Sequence, residues 1–94
     1  MIILKLDHNP IGCEGVRQLA NGLALNKSLK SLSLTFCNIG LEGAQSIYEI
    51  LIYQSSSLLE LNLSGNHLKD SGVVKVLVGA AVAKSLEKLD LSDN

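Results

Sequence analysis

Ninety-four residues allow one domain with a modest core, and a composition 47% hydrophobic and only 18% charged marks a chain that packs rather than one that stays disordered. The net charge of −1, with eight lysines and arginines scattered and forming no basic stripe, argues against a nucleic-acid partner. The longest apolar stretch, Val73 to Ala83, has 11 residues, short of the roughly 18 that a membrane-spanning helix needs, so no membrane association is expected.

In chain order, Met1-Ile2-Ile3-Leu4-Lys5-Leu6 alternates with period two and predicts a strand instead of a secretory signal. Asn9 follows at a turn, then Gly15, then Val16, Leu19, Ala20 and Leu23 at helical spacing. The same order recurs as Leu32-x-Leu34, Cys37, Gly43 and the stripe Ala44, Ile47, Tyr48, Leu51. It recurs again as Leu61-x-Leu63, Asn66, Gly72 and the stripe Val73, Val76, Leu77, Ala80. A fourth copy reaches Leu89-x-Leu91 and Asn94. The first leucines stand 28, 29 and 28 residues apart, and the additional residue of the second unit is expected in the polar run Ser55-Ser56-Ser57. Three residues before each pair another apolar residue recurs, as Met1, Leu29, Leu58 and Leu86, closing the layer behind each strand.

The physical expectation follows from the period. Paired leucines face inward, their neighbours face out, and each unit buries its apolar face only against the next unit. Parallel strands stack about 4.8 Å apart whereas helices need roughly 8–10 Å, so the assembly should bend with strands inside. Asn9, Asn66 and Asn94 are read as structural turn residues whose amides satisfy backbone groups in a buried bend. Cys37 fills the same slot with a weaker donor, so the second turn is expected to be less well tied. Cys13 and Cys37, 24 residues apart, form no disulfide framework and suit a reducing compartment, which points to a cytoplasmic location.

The form Leu-x-x-Leu-x-Leu-x-x-Asn/Cys-x-Leu-x-x-x-Gly, with a long helix and a period of 28 or 29, resembles the ribonuclease-inhibitor-like class of leucine-rich repeats. The resemblance covers residues 1–94 and implies an α/β solenoid, a right-handed horseshoe segment of about three full repeats plus a fourth strand. Proteins of this class include ribonuclease inhibitors, NOD-like receptors, activators of the Ran GTPase, actin regulators and subunits of ciliary complexes. It implies a non-enzymatic surface for binding another protein, with no cofactor. Terminal repeats normally carry polar caps and these do not, so residues 1–94 are expected to belong to a longer chain.

Two surfaces are candidates for recognition. On the concave strand face the outward columns are Ile3, Ser31, Glu60, Lys88; then Lys5, Ser33, Asn62, Asp90; then Asp7, Thr35, Ser64, Ser92; and, beyond the strands, His8, Phe36, Gly65, Asp93. Phe36, the single phenylalanine, stands where the repeat needs no apolar side chain, and Lys5, Asp7, Asn62 and Asp90 join it as protein-binding candidates. On the convex side Val74, Val78 and Val82 recur every four residues opposite the expected core stripe, a surface for flanking repeats or a neighbouring subunit. The first surface suits a recognition module, the second an architectural subunit of a cytoskeletal or ciliary assembly. Catalytic signals are lacking: His8 and His67 have no zinc-type cysteine spacing, no phosphate-binding glycine loop occurs, and no serine sits in a nucleophile elbow.

Overall fold

Each Leu-x-Leu pair lies in or at the end of a strand in the computed structural model, which describes residues 2–94. The strands are β1 (Ile2–Lys5), β2 (Leu29–Ser33), β3 (Glu60–Asn62) and β4 (Lys88–Asp90), joined in chain order into one parallel sheet. Leu4, Leu32, Leu61 and Leu89 pair in one row, and Lys5, Ser33, Asn62 and Asp90 in the next, so the columns that fall within the strands match the register. Met1, expected to head the column of Leu29, Leu58 and Leu86, lies outside the described residues.

Parallel neighbours require a crossover, and three helices supply it: α1 (Gly12–Leu23), α2 (Ala44–Tyr53) and α3 (Lys69–Val82). Their apolar stripes and the strand leucines form one core that includes Val16, Leu32, Leu34, Ile47, Leu61 and Leu63. α1 and α3 start three residues before Gly15 and Gly72, where the sequence suggested they would begin. The reason is a left-handed residue that turns the chain into the helix, Gly12 at φ 66° and Lys69 at φ 62°. In the second repeat that role passes to Asn38 at φ 58°, and α2 follows a single 3-10 turn, Leu41–Gly43. The recurrent glycines serve close packing, since a Cβ at Gly15 or Gly43 would lie 2.5 or 2.6 Å from Cγ2 of Ile11 or Ile39.

Burial along the helices departs from a single repeated stripe. In α2, Ser46 and Ile50 are buried along with Ala44, Ile47 and Leu51, because this helix has a neighbour on each flank. In α3 the buried residues are Gly72, Val76 and Gly79, whereas Leu77, expected in the core, is 48% exposed. Leu77 stands 16 residues after the first leucine of its repeat, as do Ala20 and Tyr48. Ala20 is buried, and Tyr48 lies against α3, its Cδ1 3.0 Å from where a Gly79 Cβ would be and its ring beneath the Lys75 ammonium at 4.3 Å. Among the described residues no helix lies beyond α3 to cover Leu77.

The turn asparagines act between repeats. Asn66 is buried; its Oδ1 accepts the amides of Cys37 and Ile39, both at 3.0 Å, and its Nδ2 donates to the carbonyls of Leu34 and Leu63, both at 2.9 Å. Asn94 repeats part of this pattern, accepting from the Leu68 amide and donating to the Leu63 carbonyl at 2.8 Å. Each such side chain therefore ties the turn of the preceding repeat. The weakness of Cys37 falls on the first turn, contrary to the expectation for the second: its Sγ donates to the Leu6 carbonyl at 3.2 Å, while the Ile11 amide bonds back to the Asn9 carbonyl at 2.8 Å. Burial pushes the Cys37 thiol pKa up, against the opposing pull of the Asn9 amide, so the group stays a protonated donor. Asn9 is exposed instead of buried, since among the described residues no strand lies on the outer side of β1, though its Nδ2 still donates to Leu6 and Asp7 carbonyls.

The loops behind the strands are tied as well. Gln54 is buried, with Nε2 donating to the Leu23 carbonyl at 2.8 Å and Oε1 accepting from Ser57 Oγ at 3.0 Å. Ser57 is thus a buried partner and not part of a loose surface run.

Candidate functional site

The outward face of the sheet holds a groove of about 360 Å³ lined by Lys5, Ser31, Ser33, Glu60, Asn62, Lys88 and Asp90, with Leu32, Leu61 and Leu89 also contributing. Strand alternation makes this face, because residues between inward leucines must point outward. Its central row runs from a cation on β1, Lys5, through Ser33 and Asn62 to an anion on β4, Asp90. In the adjoining row Glu60 and Lys88 pair across β3 and β4 at 3.8 Å, both exposed, so this pair adds little stability. The small serines in the middle leave the groove open.

Local hydrogen bonds orient several of these side chains. Asn62 Oδ1 accepts the Ser64 amide at 3.1 Å, and one repeat later Asp90 Oδ1 accepts the Ser92 amide at 2.9 Å and its hydroxyl at 2.7 Å. The Ser92 amide and hydroxyl hold the Asp90 pKa below its ordinary value, so the carboxylate remains charged. Asp7 differs. It is half-buried, and its Oδ1 accepts from Ser33 Oγ at 2.7 Å and the Thr35 amide at 2.8 Å. Burial works to raise the Asp7 pKa, but the Ser33 and Thr35 bonds outweigh it and the pKa is lowered. Asp7 is therefore a fastener between the first two repeats.

Just past the strands, His8, Phe36, Gly65 and Asp93 occupy one row and all have positive φ, at 61°, 52°, 73° and 57°. Phe36 is 52% exposed, and its ring stacks on His8 with centroids 5.1 Å apart and planes 8° from parallel. Its other neighbour is Gly65, where a Cβ would come within 2.4 Å of Phe36 Cε1. Phe36 thus borders a second groove, about 430 Å³, with Asn38, Gly65, Asn66, His67 and Asp93. The sequence singled out Phe36 but not Asn38, His67 as a groove residue or the left-handed row; the presence in that column of His8, Gly65 and Asp93, residue types that tolerate a left-handed backbone, was the signal that could have shown it.

The structure brings Lys5, Asn62 and Asp90 together in the first groove, with Asp7 and Phe36 on the β1–β2 side and at the strand exit. Val74, Val78 and Val82 lie elsewhere, on α3, and are 58%, 52% and 49% exposed. Among the described residues no group of three or more His, Cys, Asp or Glu side chains could hold a metal ion, and no helix is long and apolar enough to cross a membrane. Both cysteines are free.

A family model described as Leucine Rich repeat matches residues 25–47 and 54–77. Over 63 residues the chain is 43% identical to Protein NLRC5 of Mus musculus, covering 67% of this chain and 3% of that protein. It is 36% identical over 93 residues to mouse NACHT, LRR and PYD domains-containing protein 14, which covers 98% of this chain and 9% of the relative. With the mouse Ribonuclease inhibitor it shares 33% identity over 78 residues, 82% of this chain and 17% of that protein. The chain thus spans a small part of each relative. With the repeated strand and helix, the parallel sheet and the match of the repeat model, the chain belongs to the leucine-rich repeat family.

Proposed function

We propose that this chain is a non-enzymatic recognition module that binds another protein through its strand face, which is concave in a horseshoe of the ribonuclease-inhibitor-like class. The observation that carries the reading is the open row Lys5, Ser33, Asn62, Asp90, oppositely charged at its two ends and set in a groove floored by Leu32, Leu61 and Leu89. A row of unlike charges favours one orientation of a partner over the reverse. The Ribonuclease inhibitors among the relatives support a protein partner. Free cysteines fit a cytoplasmic location.

Photo-crosslinking in cells tests the reading. A benzophenone amino acid at Ser33 or Asn62 is expected to yield one discrete protein adduct, lost when Lys5→Glu and Asp90→Lys are introduced together; the same probe at Gln45 should yield none. Adducts from Val78 alone would overturn it.

A second reading rests on α3. Val74 and Val78 stand where α1 presents Arg17 and Asn21, and with Val82 they form an exposed apolar surface suited to a flanking repeat or a neighbouring subunit of an assembly.

A further inference from the structure

We propose that the groove between Phe36 and Asp93 receives an arginine side chain of the protein partner. This deepens the recognition reading by naming the chemistry taken at one end of the strand face. The left-handed row is the starting point. Glycine adopts that backbone freely and Asp and His tolerate it, whereas a bulky aromatic disfavours it. Phe36 nonetheless holds φ 52°, and half of its surface stays in solvent, so core burial does not explain the residue. What the geometry does is hold an aromatic ring out at the strand exit, one side on the His8 imidazole and the other over Gly65.

The absence of a side chain at Gly65 keeps that arrangement in place. Any Cβ there would meet the Phe36 ring at 2.4–2.6 Å and displace it. Across Gly65 stands Asp93, and the groove between is completed by Asn38 and His67. Its carboxylate is that of Asp93, and Asp90 lies in the adjoining strand of the same repeat.

An aromatic surface beside a carboxylate selects for a cation. A guanidinium fits better than an ammonium, because it is planar, stacks on a ring and offers paired donors to a carboxylate. An apolar side chain would leave Asp93 desolvated without a partner, and an anion would be repelled.

The probe is N-acetyl-arginine amide titrated into the 15N-labelled chain, with the lysine and citrulline analogues as controls. Saturable shifts are expected at the Gly65, His67 and Asp93 amides, weakening with added salt. Phe36→Leu and Asp93→Asn should each weaken binding at least about threefold, in line with an exposed cation–π contact or ion pair. Both positions are exposed, so the variants should stay folded. No saturable shift with the arginine probe, equal shifts from either analogue, or unchanged binding in both variants would each overturn the inference. Because the probe reads the groove alone, such a failure leaves the crosslinks expected from Ser33 and Asn62 standing, and their loss is a separate result.

Discussion

Asn66 shows how one side chain joins two repeats. Its amide satisfies two backbone donors of the second turn and two carbonyls at the ends of β2 and β3, all in a buried place. Asn66→Ala leaves those groups without a partner and should lower stability by at least about 2 kcal/mol in urea unfolding. The reverse change is available at Cys37, whose thiol donates to the Leu6 carbonyl but offers no amide oxygen as acceptor. Cys37→Asn should stabilise the chain by about 0.5–1.5 kcal/mol by freeing the Ile11 amide from its bond to Asn9, and a melting temperature that falls would count against this assignment.

Asp7 adds a pH dependence. Its folded pKa lies below the unfolded value, so its contribution is complete above the ordinary carboxylate value of 3.8 and fades as pH falls through the lowered folded value. Urea midpoints measured from about pH 6 down to about pH 2 should drop more steeply for the parent chain than for Asp7→Asn. Parallel curves would show that the Ser33 and Thr35 bonds do not favour the charged form.

At the scale of elements, α3 separates packing from display. Val76 is buried and Val78, two residues on, is exposed. Val76→Ala should cost about 2 kcal/mol, whereas Val78→Gln should change stability by less than about 0.5 kcal/mol, both read from thermal or urea unfolding. A large loss at Val78 would mean that it is covered in solution. The strands were legible because Leu-x-Leu repeats with the period of a pleat, and the two outward columns within the strands, those of Ile3 and Lys5, followed from it. The helices were less so. Whether Leu77, Ile50 or Ser46 is buried depends on which flank of the helix has a neighbour, a property of place in the stack that one repeat does not encode. Gln54 and Ser57 were missed because Gln54 bonds to the Leu23 carbonyl of another repeat and Ser57 bonds to Gln54, both outside the leucine pattern.

At the scale of the whole molecule, the recurring Asn, the shared core and the parallel register place the stability between neighbouring repeats. The same stacking sets outward residues from distant parts of the chain side by side, Lys5 next to Ser33, Asn62 and Asp90. The candidate residues of the strand face were legible to that extent. Their hydrogen bonds were not, since the engagement of Asp7 depends on Ser33 and Thr35 one repeat away.

The most direct test compares two variants against the partner captured by crosslinking. One carries Lys5→Ala, Asn62→Ala and Asp90→Ala on the strand face; the other carries Val74→Gln, Val78→Gln and Val82→Gln on α3. Calorimetric titration should show the first raising Kd at least about tenfold and the second less than about twofold, whereas the opposite ranking would contradict recognition through the strand face.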